Sequence, residues 1–183
     1  MTEITQDYLR ILLSYDAETG QLLWRHRPRD MFTEGYNGGE TSWKTWNSRY
    51  AGTVASNIGN GGYVRVNIFG TRYLGHRLIW MMVHGEWPDE IDHINGDKSD
   101  NRLCNIRNVS RQENLRNLAR RSDNSSGHTG VSYAKRDDVF LAYITVDSHM
   151  KILGRFKSLE DAVAARKAAE AKYDYHPNHG RAA

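Results

Sequence analysis

The sequence has too little cysteine for internal disulfides and no apolar run long enough to span a membrane. Cys104 is the only cysteine among the 183 residues, so no internal disulfide can form, and no Cys-x-x-Cys pair is present to hold a structural zinc. An uninterrupted run of about 18 apolar residues is also missing, and residues 1–7 lack the basic-then-apolar order of a signal peptide. We therefore expect a soluble protein of the reducing cytoplasm that is not exported and has no membrane partner.

Positive charge is concentrated in one stretch of the chain. The formal net charge of +3 and the pI of about 9.0 are by themselves weak indications of a nucleic-acid partner. Between residues 102 and 121, however, Glu113 is the single acid against six arginines: Arg102, Arg107, Arg111, Arg116, Arg120 and Arg121. The alternative is an ordinary solvated helix face. We favour phosphate contact, because guanidinium groups match phosphate oxygens and the usual interleaved acids are missing.

Hydrophobic periodicity predicts a series of short elements before residue 90. In order they are a helix over 5–14, a strand over 21–25, an irregular segment over 29–60, a β-hairpin over 62–75 and a buried helix over 76–84. The segment 29–60 is rich in glycine, asparagine, serine and threonine, with Trp43 and Trp46 interspersed. That composition predicts irregular chain or broken strands more than a helix.

Residues 91–114 predict strand, loop, strand and helix in close succession. The strands are expected over 91–94 and 106–109, with Asn95-Gly96 as a tight turn after the first. Ser110 and Glu113 have the spacing of a capping box, which predicts the start of a helix that contains Asn114. This arrangement can place a metal and a base side by side.

The C-terminal part predicts a small sheet covered by one helix. Residues 122–129 have the composition of a linker. Three strands are expected after it, over 130–134, 140–146 and 151–156. A helix that starts near Ser158 then presents a face of small residues suited to lying across the sheet.

Three residues of the strand–loop–strand–helix segment carry the groups that phosphodiester hydrolysis needs. Asp92 offers a carboxylate oxygen and Asn114 an amide oxygen, both of which suit magnesium. His93 is the natural general base. Adjacent strand residues point to opposite faces, so Asp92 and His93 can serve metal and water only if the strand ends or kinks there.

The same segment resembles the ββα-metal motif of HNH nucleases. The likeness rests on Ile91-Asp-His-Ile-Asn-Gly-Asp-Lys-Ser-Asp-Asn-Arg102, on Asn105-Ile-Arg107 and on Gln112-Glu-Asn114. It is greatest to the phage and group I intron homing endonucleases, in which asparagine replaces the final histidine. The resemblance implies that Asp92 and Asn114 bind the metal, that His93 activates water, and that Asn105 fixes the histidine ring through a hydrogen bond. Loss of the imidazole at the third position of the motif favours an oxygen-preferring cation, Mg²⁺ with Mn²⁺ as a substitute, over zinc.

Segments upstream of the motif also resemble the N-terminal part of phage HNH proteins, among them His76-Arg-Leu-Ile-Trp80. Arg77 is therefore expected to be a DNA contact. For His76, a phosphate contact and an internal hydrogen bond remain equally open.

The C-terminal part resembles the AP2 DNA-binding domain. The likeness rests on Ser126-Gly-His-Thr-Gly-Val131, Leu153-Gly-Arg-Phe156 and the helix from Leu159 to Ala165. Such domains place their sheet in the major groove, which implies DNA contacts from the exposed sheet residues Lys135, Arg136, Tyr143, Thr145, Lys151 and Arg155. The alternative is that these are ordinary exposed strand residues. Leu141 stands where the family often has tryptophan, a departure that affects sequence reading.

The sequence thus predicts an α+β protein: an N-terminal helix and β-hairpin extension over 1–75, an HNH core over 76–121, a linker over 122–129 and an AP2-like domain over 130–175. The expected function is metal-dependent cleavage of double-stranded DNA, as a homing endonuclease or nickase without a small-molecule cofactor. The alternative is a sequence-specific DNA-binding regulator with an inactive nuclease scaffold. The intact set of Asp92, His93 and Asn114 argues against that alternative, since a scaffold needs none of the three.

Overall fold

Helices and short antiparallel sheets alternate along the computed structural model, which describes residues 4–33 and 38–181. Contacts divide the chain into two units, Met1–Asn108 and Val109–Ala183. None of the helices in the described ranges has the length and apolar character needed to cross a bilayer. The elements are α1 (Gln6–Leu12), β1 (Leu13–Asp16), β2 (Gln21–Trp24), α2 (Gly39–Tyr50), β3 (Ser56–Ile58), β4 (Val64–Ile68), β5 (Thr71–Leu74), α3 (Gly75–His84), β6 (Glu90–His93), β7 (Ile106–Val109), α4 (Arg111–Leu115), β8 (Val131–Ala134), β9 (Val139–Val146), β10 (His149–Phe156) and α5 (Leu159–Lys172).

The core of the first unit joins the opening helix, the β3–β4–β5 sheet and α3. The alternation predicted for the β4–β5 hairpin is confirmed, since Val66 and Ile68 are buried while Asn67 between them is exposed. Leu9 from α1 and Leu78 from α3 complete this core and are fully buried. The predicted helix over 76–84 is confirmed as α3, which ends at Gly85 in the left-handed conformation.

The prediction of irregular chain over 29–60 is wrong where α2 forms. Trp43, Trp46, Asn47 and Tyr50 recur at helical spacing along α2. The Trp43 indole donates to the Arg27 carbonyl at 2.8 Å, and the Asn47 amide bonds both the N–H and the carbonyl of Arg27, at 2.8 and 3.0 Å. These contacts with the chain after β2 stabilise a helix that composition disfavours.

The second unit contains a three-stranded antiparallel sheet with strand order β10–β9–β8. Helix α5 lies across one face, where Val131, Ala142, Ile144 and Ala162 are buried. The three strands and the covering helix are as predicted, and the mixed helix–sheet class is confirmed. The likeness of this unit to an AP2 domain and the domain limits remain predictions.

The strand register fixes which residues share the open face of this sheet. Thr145 pairs with Met150, Tyr143 with Ile152, and Leu141 with Arg155. These residues alternate with the buried ones of β9, so they lie on the face away from α5. Met150 and Ile152 are 63% and 62% exposed, which makes this face largely apolar.

Candidate active site

The strand β6 ends at His93, so two adjacent residues can serve one site. A hydrogen bond from the Gly96 N–H to the His93 carbonyl, at 2.8 Å, turns the chain directly after the strand, and Gly96 has a φ of 80°. Asp92 and His93 are each 5% exposed. The strand therefore ends at His93, which is the condition under which Asp92 and His93 were expected to serve one site.

The His93 ring is held by Asn101, a residue to which the sequence assigned no role. His93 Nε2 lies 3.0 Å from Asn101 Oδ1. Because a carbonyl oxygen only accepts, the amide in this orientation fixes the Nε2–H tautomer. The lone pair is then on Nδ1, which is the form that a general base needs.

Asn105 has a different role from the one predicted. Its Oδ1 accepts from the Asn95 N–H at 3.0 Å, and its Nδ2 donates to the Asp100 carbonyl at 2.8 Å. Its own carbonyl accepts from the Ile94 N–H at 2.8 Å. The predicted side-chain bond to the histidine ring is wrong, because Asn101 makes it and Asn105 closes the loop by bonding the backbone that follows His93.

The first hairpin of the chain supports this loop. Tyr15 Oη donates to the Asn101 carbonyl and accepts from the Leu103 N–H, both at 3.1 Å. Gly20 lies so close to the loop that an added Cβ would be 2.7 Å from the Arg102 nitrogen. Asn101 itself is fully buried. The base-holding residue is thus fixed from β1 as well as from its own loop.

Two aromatic rings enclose the His93 imidazole. His76 meets it edge-on with ring centroids 5.1 Å apart, and the Tyr63 centroid is 6.2 Å away. Burial first, and then the neighbouring His93 and Arg77, lower the pKa of His76 to about 3. His76 is therefore neutral at physiological pH, and its Nδ1 has no hydrogen-bond partner in the described part of the chain. The internal hydrogen bond considered for His76 is not made by that nitrogen.

The Asp92 carboxylate is bound by an arginine on β7. Arg107 Nε and Nη2 both donate to Asp92 Oδ2, at 3.0 and 2.8 Å. The carboxylate is buried, whereas the arginine side chain is 38% exposed. A cation thus already accompanies the carboxylate that the sequence assigned to the metal.

Asn114 lies in α4, whose start is confirmed as a capping box. The Ser110 hydroxyl accepts from the Glu113 N–H, and the Glu113 carboxylate accepts from the Ser110 N–H at 2.8 Å. The Asn114 N–H donates to the Ser110 carbonyl at 3.0 Å. Asn114 is therefore within the first turns of a five-residue helix.

The strand–loop–strand–helix segment is similar to a known family. Residues 73–116 match the HNH endonuclease family. The match covers less than half of the chain and contains Asp92, His93, Asn101, Asn105 and Asn114. This similarity supports an HNH nuclease and suggests a DNA endonuclease. No curated protein and no solved structure matches the chain.

HNH nucleases generally use divalent metal ions, and the donor chemistry of this HNH segment suits one. No group of three His, Cys, Asp or Glu side chains that could hold a metal occurs in residues 4–33 and 38–181. The Asp92 carboxylate is the kind of hard oxygen ligand that magnesium takes together with water. The cation that Asp92 already binds shows that this position favours positive charge.

Several arginines of the basic stretch are paired with acids outside it. Arg102 binds Asp100 at 2.7 Å, and Arg121 binds Asp123 at 2.8 Å. The Arg102 guanidinium lowers the pKa of Asp100 to about 2. Counting only the acids between residues 102 and 121 therefore overestimates the unpaired positive charge of this stretch, because acids just outside it pair with some of the arginines.

The remaining predicted DNA contacts of the HNH segment have mixed surroundings. Arg77 donates to the carbonyls of Pro88 and Asp89, at 2.8 and 3.2 Å, and so holds the chain before β6. Arg111 is exposed on α4, and Arg116 is its C-cap. All three remain predictions as DNA contacts.

Lys151, one of the predicted DNA contacts, lies on a different face of the sheet from Tyr143, Thr145 and Arg155. Lys151 pairs with the buried Ile144, and its Nζ lies 5.0 Å from the Tyr173 ring at the end of α5. Lys151 therefore faces the helix side, because cross-strand partners share a face. Tyr143, Thr145 and Arg155 share the open face. Lys135 and Arg136 are exposed in the turn between β8 and β9.

Proposed function

We propose that the protein is a divalent-metal-dependent endonuclease that cuts double-stranded DNA. Asp92 and Asn114 hold Mg²⁺, for which Mn²⁺ can substitute. His93 takes a proton from the attacking water, and Asn101 and Asn105 position His93. The observation that carries the proposal is the buried imidazole whose tautomer Asn101 fixes, next to the Asp92 carboxylate, inside the HNH segment.

The residues around His93 account for its role as base. Asn101 bonds Nε2 and so selects the tautomer whose basic nitrogen is Nδ1. His76, neutral because of its low pKa, encloses the ring without adding a positive charge. A bound metal supplies charge stabilisation for the scissile phosphate and the leaving 3′-oxygen, which gives products with 5′-phosphates.

The C-terminal unit supports the DNA-binding part of the proposal. Residues 109–183 contain thirteen lysines and arginines against nine acids, a positive excess that favours association with phosphates. The open sheet face presents Tyr143, Thr145 and Arg155 together. We propose that this AP2-like face binds duplex DNA. We also propose that the protein acts as a phage-type homing endonuclease or nickase.

The test is a plasmid-cutting assay with purified protein in magnesium or in EDTA. His93→Ala and Asn114→Ala should each abolish most metal-dependent cutting while salt-sensitive DNA binding persists. Ser48→Ala, which changes an exposed polar side chain of α2, should cut normally. The ratio of open-circle to linear product distinguishes nicking from double-strand cleavage. If His93→Ala cuts DNA as fast as wild type, His93 is not the general base.

The Arg107–Asp92 pair favours a second candidate, a DNA-binding regulator with an inactive nuclease scaffold. A guanidinium bound to the carboxylate can take the place of the metal. Arg107→Ala separates the two functions: in a nuclease it leaves metal-dependent cutting measurable, and in a scaffold no cutting appears with either side chain. DNA binding without cutting on plasmid and phage DNA would favour the regulator.

A further inference from the structure

An aromatic cavity of about 490 Å³ lies in the first unit, and none of its lining residues falls within the HNH-like segment 73–116. Its walls come from β2, α2, the β3–β4 strands and the turn after β4. Four of its lining residues are aromatic: Trp24, Trp46, Tyr50 and Phe69. A concave site with this many rings offers stacking surfaces for a planar ligand.

A buried arginine belongs to this cavity. The Arg27 guanidinium carbon lies 3.8 Å from the centre of the Trp46 ring and 4.9 Å from those of Trp24 and Phe69. Arg27 is only 7% exposed. The rings therefore pack against the planar guanidinium group of Arg27. Its N–H groups point outward in the plane of that group, where a hydrogen-bond acceptor can bind.

The Arg27 guanidinium has no such acceptor within the described residues. Its Nε is buried without a hydrogen-bond partner, and the bonds from Trp43 and Asn47 all go to its backbone. A buried charge without a paired acid or acceptor is unfavourable, and stacking on rings offsets only part of that cost. The two Nη groups are not among the buried unpartnered atoms, so an oxygen or nitrogen acceptor on a ligand can bond to them.

The polar rim of the cavity has groups that read nucleobase edges. Asn57 and Arg65 are cross-strand partners, and Asn67 follows on the same face of β4. All three line the cavity. Amide and guanidinium side chains recognise base edges through paired donors and acceptors.

Phe69 projects from the turn at the mouth of the cavity. It is 58% exposed, although it is a large apolar residue, and it has a φ of 48°. Positive φ is unusual for a bulky residue and is found where a function or a turn requires it. An exposed ring in this position can cover a base from the solvent side.

We propose that this cavity binds one unpaired nucleotide of the DNA substrate, with its base stacked among Trp46, Tyr50 and Phe69 and an acceptor atom bonded to Arg27. This assignment rests on the proposed nuclease function, because it takes the ligand to be substrate DNA. An extruded or single-stranded nucleotide fits, since a base inside the duplex has no free face to stack.

Tryptophan fluorescence can test the proposal without cleavage. All five tryptophans precede residue 88, so quenching reports the first unit and not the basic C-terminal unit. The full-length protein is titrated in EDTA with a short single-stranded oligonucleotide. Wild type and His93→Ala should show saturable quenching. Arg27→Met and Phe69→Ala should bind about tenfold more weakly, the effect of losing one base–aromatic contact. Ser48→Ala, at an exposed position of α2 that does not line the cavity, should bind as wild type.

Different failures have different meanings. Phe69 is exposed, so its variant tests the site even if Arg27→Met does not fold, which thermal unfolding will show. Equal quenching by inorganic phosphate or by an oligoglutamate peptide would overturn the nucleotide assignment, as would wild-type affinity in the Phe69 variant. Saturable quenching in a protein that cuts no DNA would instead refute the nuclease proposal and leave the nucleotide site standing.

Discussion

At the scale of single residues, Asn101 and Asn105 have different roles around His93: Asn101 bonds the ring, and Asn105 bonds the backbone of the loop. The family resemblance gave Asn105 the histidine ring, but the ring is held by Asn101. Both residues are inside the motif, and the spacing of polar residues in a loop does not reveal which amide turns inward. The identity of the metal and base candidates was predictable because their residue types limit the chemistry. The partner of the base depended on how the loop closes.

Replacement of Asn101 should therefore reduce cutting without preventing metal binding. Asn101→Ala leaves the ring free to rotate and to change tautomer, and we expect cutting to fall about 10–100-fold, as for other residues that orient a functional histidine. Asn101→Asp, which keeps an acceptor oxygen, should retain more activity than Asn101→Ala. Initial rates of plasmid cutting measure both. A rate for Asn101→Ala equal to that of the surface variant Ser48→Ala would contradict the role.

Stability should depend on pH through His76. Its folded pKa of about 3 is below the ordinary value of 6.5, so the unfolded chain binds the proton more readily. Arg77 and His93 face His76 and oppose its charging, and Tyr63 packs against it. The neutral folded form is thus favoured above pH 6.5, and its stability is lost as the pH falls toward 3.

Between pH 7 and pH 5 this residue should contribute a loss of about 2 kcal/mol in the free energy of unfolding. His76→Phe keeps a ring in place but cannot titrate, so its unfolding free energy should fall less over the same interval. Urea unfolding of both proteins at the two pH values gives the comparison. Parallel losses in the two proteins would show that other groups cause the pH dependence.

At the scale of elements, α2 was missed and α4 was found for opposite reasons. The capping box that starts α4 is a local signal within four residues, so the sequence alone reveals it. Helix α2 depends on the bonds of Trp43 and Asn47 to Arg27, which lies well before it in the chain. Glycine, serine, threonine and asparagine composition does not report such partners.

Asn47 should accordingly be the residue on which α2 depends most. Asn47→Ala leaves the Arg27 N–H without its side-chain partner and the Arg27 carbonyl with the Trp43 indole alone, and we expect a loss of about 1–3 kcal/mol in unfolding free energy. The next residue, Ser48, is an exposed polar position of the same helix, and Ser48→Ala should change stability by less than about 0.5 kcal/mol. Chemical denaturation distinguishes the two. Similar small changes in both variants would mean that the tryptophans alone hold the helix.

At the scale of the whole molecule, the positive charge belongs to the C-terminal unit. Residues 1–108 contain twelve basic residues and thirteen acids, whereas the excess of basic residues is entirely in 109–183. The sequence indicated a basic cluster at 102–121, but acids on either side of that window pair with Arg102, Arg107 and Arg121. Attraction to DNA should therefore depend more on the sheet unit than the arginine count suggests.

Salt-dependent binding can test the direction of the sheet. Arg155→Ala should weaken binding to duplex DNA and reduce the slope of log affinity against log salt by about one, because Arg155 is on the open face. Lys151→Ala removes the same charge from the α5 side and should change the slope less. Fluorescence anisotropy with a labelled duplex gives both slopes. Equal effects would indicate a diffuse charge contribution with no preferred face.

The contact between Tyr15 and the loop at Asn101 has a consequence for how the HNH-like segment can be transferred between proteins. The family match begins at residue 73, yet the Tyr15 hydroxyl that supports the loop comes from the first hairpin. That hairpin can approach the loop closely because Gly20 has no side chain. A fragment limited to 73–116 would carry the catalytic side chains without this support. The transferable unit is therefore the fold that begins with α1, and exchange of the motif alone between proteins should yield an inactive chimera.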